Sequence, residues 1–499
     1  MSRGLDNEFK TSSGPGNWIL NSLWWLRGHH RHVSQIEALI DDGRWQEADS
    51  AIRKQLARFP GSAQLQRCLA NLEFVRGNQE AADAIARKVI GNDSAKVAEF
   101  YQMGELLGKQ GDLPAAIQCL EKVVQLGPND IAAAAHQKLA MLKLNQQHSD
   151  SAVDHAVKAT MMLHPPITEF LDRIHTTSLS PETIQRAIKT LNQADMSSTS
   201  FAASKHMLLS RLHIANDDWS NAISSIGRAT RFEHNRLQPE AEWDESSQPM
   251  KPGFVIFGAM KSGTTALWDQ LKTHPQVLSP LSKELQFFGH ADWPEEYYFE
   301  MFPRIRDAQQ KGLITGEASP GYYMDCDFER LKKMQPDVRL VFIRRDPVER
   351  SLSHFFHNRE LGLDSKSMAE VFRNGFDETR ELYGLSRTEL KKVLLEQKHQ
   401  QTNINFLLAM SCYDLFLDLW KPVFGEDQIL EIEFESLVND NERTINKVLE
   451  FIGVEKSKCQ PLPRSNSGRY NKQSPDYLET AEKLRQFFAE TESMPQPKE

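Results

Sequence analysis

A chain of 499 residues is too long for one ordinary hydrophobic core, so two or three domains are expected. Its composition, 40% hydrophobic and 25% charged with a formal net charge of -9, is that of a globular protein without the basic surface nucleic acid requires, so nucleic acid is excluded as an expected partner. Cys68, Cys119, Cys326, Cys412 and Cys459 are scattered, with no C-x-x-C and no histidine at ligand spacing, which favours reduced buried thiols over a disulfide or zinc framework. The first 32 residues contain Trp18-Ile19-Leu20-Asn21-Ser22-Leu23-Trp24-Trp25-Leu26, far short of the ~20 apolar residues of a membrane span. Arg27 and His29, His30 and His32 come next, instead of a small-residue cleavage site. Two roles stay open for 18–26: a helix docking onto the next domain, or peripheral membrane contact with the tryptophans at headgroup depth. A cytoplasmic protein, at most peripheral to a membrane, is the expectation.

Residues 33–237 repeat. Ala48, Ala82, Ala116, Ala152, Ala187 and Ala222 are spaced by 34, 34, 36, 35 and 35 residues, and Gly43, Gly77 and Gly111 keep the 34-residue step. The fullest unit has Phe100, Met103, Gly104 and Leu107, then Gly111 at a turn, then Ala116, Leu120, Val123 and Pro128. This resembles the tetratricopeptide repeat (TPR), in which small residues sit where two antiparallel helices cross and a proline ends the second. Pro60 and Pro165 fall at or near that terminating position in other units, whereas His175 and Ser210 stand where Gly104 does, so the later units are degenerate. The resemblance implies a stacked α-solenoid that binds a partner protein or substrate peptide on its concave face, or one that only scaffolds the C-terminal domain. From 238 to 253, Pro239, Pro249 and Pro252 interleave with Glu240, Glu242, Asp244 and Glu245, which reads as a linker.

Residues 254–490 carry the chemistry. The apolar run Phe254-Val255-Ile256-Phe257 stops at Gly258 and reads as a buried strand; a helix starts at Thr264. Between them, Gly258-Ala259-Met260-Lys261-Ser262-Gly263-Thr264-Thr265 spells a phosphate-binding loop at a helix N-terminus. A Walker loop places lysine directly after the second glycine. Here Thr264 holds that position and Lys261 lies inside the loop, which weakens a P-loop kinase or NTPase reading.

The K-S-G-T-T spelling resembles the 5'-phosphosulfate loop of sulfotransferases, whose donor is 3'-phosphoadenosine 5'-phosphosulfate (PAPS). Downstream, Lys283-Glu284-Leu285-Gln286-Phe287-Phe288 resembles the segment that supplies the catalytic glutamate in sulfotransferases acting on glycans such as heparan sulfate. The match includes Lys283, Glu284, Phe287 and Phe288. Gln286 and Gly289 depart from the histidine and aspartate common there. Gly316-Glu317-Ala318-Ser319-Pro320-Gly321-Tyr322 resembles the family's E-x-[ST]-P-x-Y element; an ordinary strand-to-turn junction is the other reading. In Val338-Arg339-Leu340-Val341-Phe342-Ile343-Arg344-Arg345-Asp346-Pro347, a buried strand leads into a helix with Asp346 as N-cap and Pro347 at its first position. Arg345 and Ser353, eight residues apart, match the family's 3'-phosphate site; Arg344 is expected to cap the strand or pair with an acid, and Arg350 to face a carboxylate. Ile429 to Leu437 and Asn441 to Ile452 read as a late strand-helix pair, and Arg469 is a further 3'-phosphate contact by resemblance.

The resemblance therefore implies a two-domain α and α/β chain, a TPR-like solenoid followed by a P-loop-like three-layer sulfotransferase domain with a parallel sheet, and a disordered tail at 491–499. It implies transfer of a sulfuryl group from PAPS to a hydroxyl or amine of a glycan or peptide, with Glu284 as base, Lys283 beside it and no metal. Lys261, Ser262, Gly263, Thr264, Thr265, Arg345, Ser353 and Arg469 would hold the donor. An inactive domain serving a repeat scaffold is the remaining alternative.

Overall fold

The computed structural model of the chain describes residues 32–40, 44–76, 78–90, 97–110, 112–127, 129–162, 168–174, 177–195, 201–360, 366–373, 375–397, 405–458 and 472–494. The N-terminal tryptophan-rich segment and Arg469 lie outside them.

Up to residue 237 the described chain is helical. The helices are α1 (Trp45–Arg58), α2 (Ala63–Val75), α3 (Gln79–Ile90), α4 (Val97–Gln110), α5 (Leu113–Leu126), α6 (Asn129–Asn145), α7 (Ser149–Met161), α8 (Thr168–Ile174), α9 (Pro181–Gln193), α10 (Ala202–Ala215) and α11 (Trp219–Leu237). They pack mainly as sequence-adjacent hairpins, α2 on α3, α4 on α5, α6 on α7 and α10 on α11. Ala48, Ala82, Ala116, Ala152, Ala187 and Ala222 are all buried, and four of them, Ala82, Ala116, Ala152 and Ala222, lie on the second helices of these hairpins. Contact is close: a Cβ on Gly104 would lie 2.9 Å from Leu120 Cγ and 3.3 Å from the Ala116 carbonyl. Helix starts use local chemistry. Ser62 and Asp112 accept from the amides of Leu65 and Ala115, at 3.3 and 3.1 Å.

Beyond the array lie five strands: β1 (Pro252–Gly258), β2 (Val277–Leu278), β3 (Ile314–Ala318), β4 (Arg339–Arg344) and β5 (Ile429–Glu433). They form one sheet in the order β2-β3-β1-β4-β5, every pair parallel. Both faces are covered, which is why β1 and β4 are unbroken apolar runs instead of alternating ones. Phe254, Ile256, Val341 and Ile343 point into one core with α12 (Thr264–Leu271) and α22 (Asn441–Ile452). Val255, Phe257, Leu340 and Phe342 point into the other with Tyr323, Phe416 and Trp420. The remaining helices are α13 (Glu295–Phe299), α14 (Phe328–Met334), α15 (Pro347–Glu360), α16 (Met368–Arg373), α17 (Gly375–Leu382), α18 (Arg387–Gln397), α19 (Phe406–Ala409), α20 (Tyr413–Phe424), α21 (Phe434–Asn439) and α23 (Pro475–Thr491).

Two segments differ from their expected character. Residues 238–253 do not run free: Gln238 donates to the Val277 carbonyl at 3.0 Å and accepts from the Ser279 amide at 2.8 Å. The amides of Asp244 and Met250 bond the carbonyls of Arg304 and Pro303, each at 2.8 Å. Ala222, Ile226 and Ala229 of α11 belong to the same core as Val255 and Phe257, so the last array hairpin is packed into the α/β half. Thr491, placed in the disordered tail from sequence, is instead the buried last residue of α23; its hydroxyl donates to the Phe488 carbonyl at 2.9 Å.

Candidate functional site

In a parallel sheet, ligands collect at the carboxyl ends of strands where the order reverses, and β1, with β3 on one side and β4 on the other, is that point here. The loop leaving β1 passes through left-handed backbone at Lys261 (φ +67°) and Gly263 (φ +87°), the kind of alternation that turns successive N–H groups towards an anion. Gly258 is needed where the loop begins, since a Cβ there would come within 2.3 Å of the Phe342 ring. Gly263 caps α12, Thr264 is buried in its first turn and Thr265 is exposed. Ser262 is fully buried, and its hydroxyl oxygen has no well-formed hydrogen bond. The neighbouring Tyr413 hydroxyl is committed to the Arg345 carbonyl at 2.9 Å. A buried hydroxyl that can donate, beside a concave run of amides, suits a phosphate or sulfate oxygen.

Arg345 stands just past β4. Its guanidinium donates to the Lys261 carbonyl at 2.7 Å, lies 4.8 Å from the Phe434 ring centre and stands 3.7 Å from Glu349. Strand end and loop are thus tied together by one side chain. Burial pushes the Glu349 carboxyl up, but Lys472 and the Tyr477 hydroxyl, at 2.6 and 3.0 Å, outweigh it and hold it below its ordinary value. Ser353 lies half-buried on α15. His354, which sequence reasoning missed, is buried next to it; desolvation first, then Arg350 and Lys261, push its pKa far down, so it is a neutral ring beside the loop lysine.

Arg344 pairs with Glu431 and Asp414, as one of its two expected roles requires. Arg350 does not face a carboxylate. Fully buried, it donates to the Ser411 hydroxyl and the Leu407 carbonyl, and its Nη1 contacts His354 Nδ1 at 3.2 Å. Burial lowers its pKa to about 10. Its partners lie about sixty residues on, in a stretch with no readable motif, so only the fold could reveal them.

Glu284 sits on the loop between β2 and α13, docked against the end of β3: the Ala318 amide donates to the Lys283 carbonyl at 3.0 Å. Lys283 Nζ bonds Glu284 Oε1, and the Gln286 amide nitrogen approaches Oε2 at 3.4 Å. Gln286, one of the two departures from the glycan pattern, therefore touches the candidate base directly. The Glu284 loop docks on the end of β3, Lys261 follows β1 and Arg345 follows β4, three neighbouring strands of the sheet. A cleft of about 430 Å³ opens beyond Arg345 and is rimmed by Asp346, Asp414, Glu433, Glu435 and Glu492. Arg344 and Arg345 also line it, but the carboxylates outnumber them, and that excess disfavours an anion there.

A glycine-containing loop on the carboxyl edge of a parallel sheet thus has a carboxylate-bearing loop on one side and an arginine on the other. Residues 290–458 match the family model described as "Sulfotransferase family". The chain is 28% identical over 209 residues to heparan sulfate glucosamine 3-O-sulfotransferase 6 of Mus musculus, covering 41% of this chain and 53% of the relative. It is 37% identical over 107 residues to the membrane-associated sulfotransferase kil1 of Dictyostelium discoideum, covering 21% and 22% respectively. Among solved structures, a sulfotransferase from Alicyclobacillus acidocaldarius matches 48% of this chain and 92% of its own at 24% identity and a TM-score of 0.35. The chain spans about half the length of the heparan sulfate relatives it matches. The C-terminal half is thus similar to sulfotransferases, heparan sulfate enzymes among them. Among the described residues, no helix is long and apolar enough to cross a membrane.

Proposed function

We propose that the chain transfers a sulfuryl group from PAPS to a hydroxyl or amine of a glycan. The observation that carries this reading is the loop after β1, with left-handed backbone at Lys261 and Gly263, tied to Arg345 past β4 while the Glu284 loop docks on the end of the neighbouring β3. In the proposed reaction the acceptor oxygen or nitrogen bonds to sulfur as the bond from sulfur to the bridging oxygen breaks, leaving its electron pair on the phosphate. Glu284 takes the acceptor proton, with Lys283 Nζ bonded to its Oε1. Lys261 and the amides from Ser262 to Thr265 neutralise charge growing on the bridging oxygen, where fixed donors are worth most. Arg345, Ser353 and Arg469 would hold the 3'-phosphate, the guanidinium through a directional fork. No metal enters this scheme, so turnover is expected to survive chelation.

The helical array is proposed to be TPR-like and to recruit a partner or the acceptor. Buried thiols at Cys68, Cys119 and Cys412 fit a reducing, cytoplasmic setting, with membrane contact through 18–26 part of the same proposal.

Glu284→Gln tests the reading. With radiolabelled PAPS and heparan sulfate, turnover is expected to fall ~100- to 10,000-fold while calorimetric affinity for 3'-phosphoadenosine 5'-phosphate (PAP) holds. Lys261→Ala should cost ~100-fold in turnover and far less in PAP affinity. Thermal stabilisation by magnesium and ATP without any response to PAP would overturn the sulfotransferase reading in favour of a kinase or NTPase.

A further inference from the structure

Glu284 lies on a loop without regular structure, yet the backbone around it is held at several points. The Leu285 amide donates to Ser319 Oγ at 3.1 Å and the Phe287 amide to the Tyr322 hydroxyl at 2.9 Å. Ser319 in turn donates to Glu317 Oε2 at 2.6 Å, and the other oxygen, Oε1, accepts from the Tyr298 hydroxyl at 2.6 Å. Glu317 is fully buried and does not line the anion loop, so the proposed reaction leaves it without a role. The Tyr298 ring stacks on Phe287 at 4.7 Å and meets the edge of Phe288 at 4.9 Å.

Tyr298 belongs to α13, five residues long. A single turn does not hold itself in water, so its place is set by the groups that pack on it. On the far side those groups come from the array. The Tyr297 hydroxyl meets Ser210 Oγ at 2.9 Å and Arg211 Nη1 at 3.0 Å, both from α10. The Thr230 hydroxyl of α11 donates to the Glu300 carbonyl at 2.7 Å. Trp219 packs edge-on against Trp293 and Tyr297, and the Arg211 guanidinium lies 4.8 Å from the Trp293 ring centre.

We propose that the last array hairpin, α10 and α11, is a positioning element for Glu284, acting through α13 and the chain Tyr298, Glu317 and Ser319. This rests on Glu284 being the base. Tyr298 and Ser319 both donate to Glu317, which suits the carboxylate; a protonated carboxyl must donate from one oxygen, so one of these bonds reverses and the geometry of Ser319, which also accepts from the Leu285 amide, must readjust. The groups facing Glu317 are Tyr298 from α13, Ser319 and Tyr322 after β3 and the Leu285 backbone, with Cys326 nearby. Burial, opposed by those hydrogen bonds, raises its pKa to about 7.

The test is amide hydrogen exchange on the full chain, which needs no acceptor. Tyr298→Phe, Glu317→Gln and a Ser210→Ala, Arg211→Met double variant should each raise exchange at residues 285–288 by about tenfold or more. Peptides covering 254–265 should be unaffected, and PAP affinity should stay within about twofold. In the wild type, protection at 285–288, corrected for intrinsic rates, should drop below about pH 7, and in Glu317→Gln that dependence should vanish. Unchanged exchange at 285–288 in the Ser210→Ala, Arg211→Met chain overturns the proposal, as does exchange that rises equally throughout the molecule. Failure of the base assignment looks different: Glu284→Gln would then turn over normally while the exchange pattern held.

Discussion

The helical array and the parallel sheet solve the burial problem in opposite ways. Each array hairpin leans mainly on its neighbours, with one of the buried alanines on its second helix. The sheet draws long-range partners from the whole C-terminal half: β1 pairs with β3 and β4, and its two faces need helices from residues 264 to 452. A local fold tolerates change piecemeal, whereas a non-local one transmits it. The boundary between the two regimes falls inside the array, because α11 contributes Ala222, Ile226 and Ala229 to the core of the sheet half.

The largest effect should come from moving that boundary. A chain begun at residue 202 keeps α10 and α11 and should fold; one begun at 238 strips a face of the core and of α13. Its loss should rival the whole ~5–15 kcal/mol of a typical domain, seen as insolubility or a lost near-ultraviolet signal. If the shorter chain melts cooperatively like the longer one, the boundary lies where the prolines of the 238–253 stretch suggested.

Paired glycine substitutions come next. Gly258→Ala drives a methyl to within 2.3 Å of Phe342 and 2.9 Å of Tyr323 Cβ, in a sheet where neither can retreat, and should cost ~1–3 kcal/mol or more in denaturant titration. Gly104→Ala meets mainly the Leu120 side chain, and the gain in helix propensity offsets the clash, so about 1 kcal/mol or less is expected.

Acid separates the regions by sign. The Glu317 pKa rises from its ordinary 4.5 to about 7, mainly through burial, so between those values the folded chain holds a proton the unfolded chain has released. Stability from this group therefore falls as pH rises from 4.5 to 7, by at most ~3 kcal/mol. In the array, His136 and His155 meet Nδ1 to Nδ1 at 2.7 Å, and desolvation lowers both from 6.5 to about 4. There the unfolded chain binds the extra protons, so stability falls as pH drops from 6.5 to 4. On acidification from about pH 7 to about pH 5, protection corrected for intrinsic rates should fall in α6 and α7 and rise in β1 and β3; a common direction would defeat the contrast.

How much was legible divides along the same line. The 34-residue alanine step and the strand ending at Gly258 are local patterns, and both correspond to elements. Arg344 was readable as an acid's partner because strand ends commonly find one. Arg350, His354 and Glu317 were not readable in their actual roles. Each is defined by groups distant in sequence: Ser411 for Arg350, Lys261 for His354 and Tyr298 for Glu317. The 238–253 stretch read as a tether because proline and charge describe its conformation, not the carbonyls of 277, 303 and 304 that hold it.

The bond from Arg345 to the Lys261 carbonyl has a consequence for how variants combine. One guanidinium shapes the backbone that presents Lys261 and, in the proposed reaction, grips the opposite end of the donor. Substitutions at the two positions should then be strongly non-additive. Once Arg345 is gone the loop has already lost part of its shape, and removing the lysine should cost less than it does alone.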